Sequence, residues 1–186
     1  MLLAGATEPA RIQFTEAAAL AQSLGEPGAG LMAQVGLAAA RLRQGKAPEA
    51  REEAARAGQA ARAAGEQGAL GAALSIEGAA LEVEGRLDEA RARYDEALAL
   101  DRKREQPAAV AEGLRSLARI AEKQGDSRGA AALLGRGARA LRRLGRLDEA
   151  ESDLTRAIAL AGPGPEAEAL EAERKALQEA RQAKGR

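Results

Sequence analysis

The chain has 186 residues, with 28 basic and 28 acidic side chains, so its formal net charge is zero. A neutral chain lacks the basic excess that binds nucleic acids or anionic membranes, and no stretch approaches the ~18 apolar residues of a membrane span. Histidine and cysteine are absent, which excludes disulfides and thiolate metal sites and removes the commonest general base. We therefore expect no cofactor, metal or nucleic acid to bind, and no enzymatic activity.

The composition favours helices. Alanine occupies 50 positions and charged residues make up 30% of the chain, and Ala, Leu, Glu and Arg are the strongest helix formers. The only aromatic residues are Phe14 and Tyr94, and β-branched residues never cluster with the period of two that strands require. We expect an all-α protein whose helices approach one another closely across Ala and Gly.

The first predicted element is a segment over residues 1–29 that contains a helix over 8–24. Residues 2–6, "LLAGA", resemble a bacterial lipobox with Ala6 in place of the lipidated cysteine. This segment can be an ordinary Ala-rich terminus of a cytoplasmic protein, which is the default interpretation. Alternatively, it is what remains of a periplasmic lipoprotein after the processing region is removed.

Glycine and proline then divide the chain into helical stretches. Prolines stand near first turns and glycines just past last turns, where each is favoured. The short connectors require antiparallel neighbours. The array spans residues 30–164, and residues 165–186 form a capping helix and tail, giving about nine helices in all. After the first, they are predicted over 30–44, 47–64, 67–84, 87–103, 107–124, 127–144, 147–161 and 165–183.

A fixed period runs through this array. Gly45, Gly85 and Gly125 are evenly spaced, whereas Gly145 follows Gly125 at half that interval and stands outside the series. The hexapeptide "GRLDEA" occurs at both 85–90 and 145–150. A constant period of roughly 20–50 residues indicates a repeat protein.

The segment 71–104 has small and apolar side chains, with one tyrosine among them, at nine regularly placed positions: Leu74, Gly78, Leu81, Gly85, Leu87, Ala90, Tyr94, Ala97 and Leu100. On these positions it resembles a tetratricopeptide repeat (TPR), a helix–turn–helix unit of about 34 residues. The resemblance implies a right-handed superhelical array of antiparallel helix hairpins, a TPR-like α-solenoid, with a plain Ala-rich helical bundle as the alternative. Residues 131–164 match as well, and 31–64 and 111–144 match less completely. Two of these alignments overlap across 131–144, which leaves the register of the third and fourth repeats open.

The repeated hexapeptide is predicted to form a hairpin corner. Gly78 and Ala90 would be the closest contact between two antiparallel helices, because a larger side chain at either position would separate them. Leu81, Leu87 and Tyr94 would fill the space around that contact.

Other patterns lack the context that chemistry requires. "GRGARA" at 135–140 matches a phosphate-binding pattern, but no strand precedes it, and the serines have no histidine to activate them. The arginines at 136, 139, 142, 143 and 146 are interpreted as a solvated, salt-bridged surface.

The TPR resemblance implies a concave groove, lined by the first helix of each hairpin, that binds a peptide or helix of a partner protein. The family's carboxylate-clamp pattern is not matched, and Arg115 and Arg119 would offer donors to an acidic partner. Alternatives are self-association into a homo-oligomer, or a repeat fragment of a larger regulatory protein. The predicted partner-binding residues are Met32, Val35, Ala39, Ser75, Ile76, Ala79, Glu82, Arg115, Ser116, Arg119 and Glu122.

Overall fold

The computed structural model describes Ile12, Glu16 and residues 27–184, and all regular secondary structure in that part of the chain is helical. The all-α prediction is confirmed, and most predicted ends agree within a residue or two. Of the predicted helix over 8–24, Ile12 and Glu16 are helical and exposed; its other residues and the "LLAGA" segment lie outside the described residues. The eight helices within 27–184 are α1 (Pro27–Arg43), α2 (Ala47–Ala64), α3 (Gln67–Val83), α4 (Leu87–Lys103), α5 (Pro107–Lys123), α6 (Ser127–Arg143), α7 (Leu147–Ala161) and α8 (Pro165–Lys184).

Six of the connectors share one hydrogen-bond pattern. After α1, the N–H of Gly45 donates to the carbonyl of Leu42 at 2.9 Å, and the N–H of Lys46 donates to that of Arg41 at 3.1 Å. This is the Schellman motif, in which a left-handed residue satisfies the last carbonyls of a helix. The same two bonds recur with the left-handed residue at 65, 85, 105, 125 and 145.

The period of the array is therefore one helix with its connector, the interval from Gly45 to Gly65, and a hairpin takes twice that interval. The exclusion of Gly145 from the series is wrong, because its turn is equivalent to the others. The two repeat alignments overlap across 131–144 because every helix here meets its neighbours through the same turn. Consequently α6 fits either the second position of one hairpin or the first position of the next.

One of the six turns lacks glycine. Glu105 closes α4 with a φ of 54°, whereas the equivalent glycines have φ between 74° and 82°. An L-residue in this region places its Cβ against the following carbonyl, a strain of about 1 kcal/mol. The turn after α4 therefore forms against a local conformational preference.

The chain divides into two compact units, residues 1–100 and 101–186. In the first unit, α2 buries only small residues, Ala and Gly, along its inner face, so α1 and α3 can both approach its backbone. The core cluster of the second unit joins alanines of α5 and α6 to larger side chains such as Leu134, Leu141 and Leu177. Burial of small side chains on helix faces thus contributes to the core within each unit.

The predicted contact between Gly78 and Ala90 is confirmed. A Cβ at Gly78 would lie 3.0 Å from the ring of Tyr94 and 3.3 Å from the carbonyl oxygen of Ala90. Tyr94 and Leu81 are both buried, with 3% and 2% of their surfaces exposed. Glycine at position 78 therefore permits the packing of α3 on α4.

Replacing Glu105 by glycine is expected to stabilise the protein. Glu105→Gly removes the left-handed strain and should raise the free energy of unfolding by about 0.5–1 kcal/mol, measured as a shift of the urea midpoint. Gly65→Ala and Gly125→Ala are the matched controls. An added Cβ meets nothing within 4 Å at either site, so both should destabilise through φ alone. A lower midpoint for Glu105→Gly would contradict the strain at this turn.

Two glycines inside helices should respond differently to alanine. A Cβ at Gly58 would lie 3.4 Å from its nearest neighbour, the Cβ of Ala73, which is ordinary contact. Because alanine has a higher helix propensity than glycine, Gly58→Ala should raise the free energy of unfolding by about 0.5–1 kcal/mol. Gly78→Ala should show no such gain, because the ring of Tyr94 must shift. Equal thermal midpoints for the two variants would argue against the tight contact.

Candidate partner-binding surface

The odd-numbered helices of the first unit, α1 and α3, lie side by side and carry very little charge. Residues 27–40 and 67–76 contain no Asp, Glu, Lys or Arg, whereas the intervening helix α2 has six charged side chains. In a chain that is 30% charged, this asymmetry singles out the outer face of α1 and α3.

We call the outward apolar residues of these helices the apolar stripe. Its most exposed members are Met32, at 48%, and Val83, at 66%. The spacing of three or four residues keeps the α3 members on one side of that helix. Because a hairpin takes the interval from Gly45 to Gly85, Met32 corresponds to Ala72 and Ala39 to Ala79. The stripe consists of Met32, Ala39, Ala72, Ile76, Ala79 and Val83.

The predicted residues of the first unit fall into two groups. Met32, Ala39, Ile76 and Ala79 lie on the stripe, exposed or partly exposed. The remaining three lie further in, toward the neighbouring helices. These are Val35, buried against Ala57 and Ala73; Ser75, whose hydroxyl donates to the carbonyl of Gly71 at 3.0 Å; and Glu82, which is buried and accepts from the Tyr94 hydroxyl at 3.2 Å.

Ala72 and Val83 were not predicted. Extending the hairpin period from Met32 would have identified Ala72, and about three further helical turns along α3 lead to Val83. The local sequence does not predict that these two residues are exposed, because apolar side chains of the same kinds also line the core.

In α5 of the second unit, the positions that correspond to the stripe are polar. Residues 112, 116, 119 and 123 are Glu, Ser, Arg and Lys. The predicted residues Ser116 and Arg119 lie here, partly buried, with a guanidinium nitrogen of Arg119 3.4 Å from the Ser116 hydroxyl. The apolar character of the surface is therefore a property of the first unit.

The predicted residue Arg115 is held within the second unit by three carboxylates. Its Nε donates to both oxygens of Asp153 on α7, at 3.0 and 2.8 Å. Its Nη1 donates to Glu112 at 2.9 Å and to Glu149 at 3.2 Å. The donors of Arg115 thus link α5 to α7.

The buried carboxyl group of this cluster is Asp153. Burial raises the pKa of Asp153, and the hydrogen bonds from Arg115 lower it only in part. By contrast, hydrogen bonds from Arg146 hold the pKa of the partly buried Glu149 below its usual value. Arg115 therefore neutralises a carboxylate that the fold has partly removed from water.

The remaining predicted residue, Glu122, also joins α5 to α7, through an ion pair with Arg156 at 2.7 Å. Arg115 and Glu149 are 34 positions apart in the chain, and the same offset separates Glu122 from Arg156. This offset is shorter than the interval of one hairpin, from Gly45 to Gly85, so the two residues of a pair do not lie at the same level. Their positions differ by about 9 Å along the helix axis, and the side chains span that distance. Ion pairs with this offset connect alternate helices.

None of the helices in the described chain is long and apolar enough to cross a membrane.

Antiparallel hairpins joined by equivalent turns at a fixed period define a TPR-like helical repeat fold. Solved structures support this fold. BtubC (BKLC) from P. vanneervenii is 18% identical and aligns over 95% of this chain and 92% of its own, with a TM-score of 0.61. Two crystal structures of the nearly identical TPR-like repeats of a putative kinesin light chain from Podosopora anserina, one of them a point variant, are 21% identical. Each aligns over 96% of this chain and 90% of its own, with a TM-score of 0.66.

At these identities the similarity establishes the fold. No protein-family model matches the sequence, and no curated protein matches it either.

Removing Arg115 should destabilise the protein, because the buried carboxylate of Asp153 loses the guanidinium that compensates its charge. Arg115→Leu leaves this buried carboxylate with less compensation, and we expect a loss of about 2 kcal/mol of unfolding free energy at pH 7. The pKa of Asp153, already raised, should rise further. The loss is therefore present while Asp153 is ionised in the folded state, and it should shrink as the pH falls through that raised pKa.

Urea denaturation at pH 4 and pH 7 tests this expectation. The double variant Arg115→Leu/Asp153→Leu should recover part of the stability at pH 7, because it removes the uncompensated charge. A loss that is equal at both pH values would show that Arg115 contributes through packing alone.

Proposed function

We propose that this chain is a non-catalytic scaffold that binds a peptide or helix of a partner protein on the apolar stripe of α1 and α3. The observation that carries the proposal is the contrast between this face and the rest of the chain. Met32 and Val83 leave about half or more of their surfaces in water, and no charged side chain interrupts the six positions of the stripe. An exposed apolar patch with polar surroundings is typical of a protein-interaction site.

The geometry suits an amphipathic helix. The stripe runs along two adjacent helices, and its members are small apart from Met32, Ile76 and Val83. Small residues let a third helix approach closely, while the larger ones supply apolar contact area. A partner helix would present apolar residues at i, i+3, i+4 and i+7 to such a groove.

The interior of the first unit would keep this surface in place without contacting the partner. Val35 packs beneath the stripe, in the cluster of Ala57 and Ala73, against which Ile76 also lies. Glu82 is engaged by the hydroxyl of Tyr94. These residues act as positioning residues for the face above them.

The test is a selection of helical peptides that bind the full chain, followed by affinity measurements on two variants. Met32→Glu/Val83→Glu places two carboxylates on the stripe at exposed positions, where folding tolerates them. We expect this variant to lose at least ~10-fold in affinity for the selected peptides, about 1.4 kcal/mol, because apolar contacts become unpaired charges. The matched control, Ala60→Glu/Ala63→Glu, adds the same charge to exposed positions of α2 and should bind like wild type.

Equal affinity of both variants for the selected peptides would refute the stripe as the binding site. Light scattering across a concentration series distinguishes the alternative of self-association. A mass that rises above the monomer value of 19.2 kDa in wild type, and not in Met32→Glu/Val83→Glu, would assign the stripe to a homo-oligomer interface.

A further inference from the structure

Helix α6 of the second unit concentrates positive charge. Its sequence, "SRGAAALLGRGARALRR", contains five arginines and no acidic residue, although the whole chain is neutral. All five are exposed. We call them the arginine stripe: Arg128, Arg136, Arg139, Arg142 and Arg143.

The five arginines share one side of the helix. At about 100° per residue they fall within an arc of about 120°, and they extend for about 22 Å along the axis. The opposite side is the buried one, where Ala130, Leu134, Ala138 and Leu141 pack into the core. The stripe therefore lies on the outer side of α6, interrupted at the buried Gly135, where a Cβ would lie 2.9 Å from a methyl carbon of Leu170 of α8.

Only one member of the stripe has an acidic partner among the described residues. Arg139 binds Glu173 of α8 through three hydrogen bonds, two from its Nε at 3.1 Å and one from Nη2 at 2.7 Å. The ion pairs of residues 27–184 leave the other four arginines of the stripe without a carboxylate. Elsewhere in this part of the chain, some exposed arginines, such as Arg62 and Arg86, are paired, and isolated ones such as Arg56 are not, but no other helix gathers unpaired arginines on one side as α6 does.

Helix stability does not account for this arrangement. Arg142 and Arg143 stand in the last turn, where the helix dipole favours cations, but Arg128 stands in the first turn, where it disfavours them. Arg136 and Arg139 are three residues apart, and Arg139 and Arg143 are four apart, so like charges repel along the face. The stripe lowers the stability of α6, which is the expected signature of a surface kept for binding.

We propose that the arginine stripe binds an acidic helix of a partner protein, one that presents carboxylates at intervals of three or four residues. The contact between Arg139 and Glu173 is the internal precedent, because there a glutamate on a neighbouring helix meets the guanidinium with paired hydrogen bonds. Guanidinium groups match carboxylates in this planar geometry. The inference is independent of the apolar stripe, which belongs to the other unit.

A nucleic acid is the other polyanion to consider, and the structure favours it less. Single strands bind through aromatic stacking platforms as well as cationic grooves. Tyr94, the one aromatic side chain in the described part of the chain, is buried. For a duplex, the chain also lacks an overall basic excess, since its formal net charge is zero.

The experiment measures fluorescence anisotropy of a labelled synthetic helical peptide with glutamates at i, i+3, i+4 and i+7, titrated with the full chain. A second peptide has the same composition but spreads its glutamates around the helix. Arg136→Gln/Arg143→Gln removes two charges from the stripe. The matched control, Lys46→Gln/Arg56→Gln, removes two exposed charges from the first unit. Arg136→Lys/Arg143→Lys keeps the charge and removes the bidentate geometry.

We expect the wild type and the control to bind the one-faced peptide alike, with an affinity that falls as salt shortens the screening length. Arg136→Gln/Arg143→Gln should bind at least ~10-fold more weakly, and the lysine variant should fall between them. Circular dichroism should show unchanged helicity and a thermal midpoint no lower than that of wild type, because repulsion is relieved.

Three results would overturn the proposal. Equal binding of the two peptides would mean general charge attraction, and an equal loss in the control variant would mean that the stripe is not the site. Tighter binding of a single-stranded oligonucleotide than of the one-faced peptide would assign the surface to nucleic acid.

Discussion

The left-handed residue that closes successive helices at a constant interval is the constraint on which the other features depend. It ends α1 to α6 at equivalent points, so that five of these helices have 17 residues and one has 18. Equal helices joined by equal turns bring positions one hairpin apart to the same face. The side chains at these equivalent positions then determine whether a surface is apolar or charged, while the backbone stays the same.

This constraint also explains how small side chains suffice for a core. Alanine and glycine contribute little apolar area each, but they allow backbones to approach, and a repeating geometry provides the same close contact many times. Larger side chains, such as Leu134 and Leu141 in the second unit, are buried among these alanines in the core. Ion pairs between side chains 34 residues apart then connect alternate helices where apolar contact ends.

Some parts of this structure can be predicted from the local sequence, and others cannot. The helices and their glycine ends were predictable, because capping preferences act within a few residues. The contact of Gly78 with Ala90 was predictable from the resemblance of residues 71–104 to a TPR unit. The turn at Glu105 was not, since glutamate carries no preference for a positive φ and adopts it here only because the repeating turn requires it.

The burial of the predicted site residues was harder to predict than the helices, for a related reason. A family pattern indicates which helix faces outward, but a shift of one residue turns a side chain by about 100°. Met32, Ile76 and Ala79 fell on the outward side, whereas Val35 and Arg115 fell between helices. Arg115 resembled a free donor because the carboxylate that binds it most closely, Asp153, is 38 residues away.

The packing of Tyr94 has a spectroscopic consequence. It is the only tyrosine, and the chain has no tryptophan, so the tyrosine emission of the whole protein arises from a single ring between α3 and α4. Its hydroxyl donates to the carboxylate of Glu82, a contact that ends when these helices separate. Fluorescence will therefore report on one hairpin of the first unit, while circular dichroism reports on every helix. A difference between the two melting curves would show that this hairpin does not unfold together with the rest of the repeats.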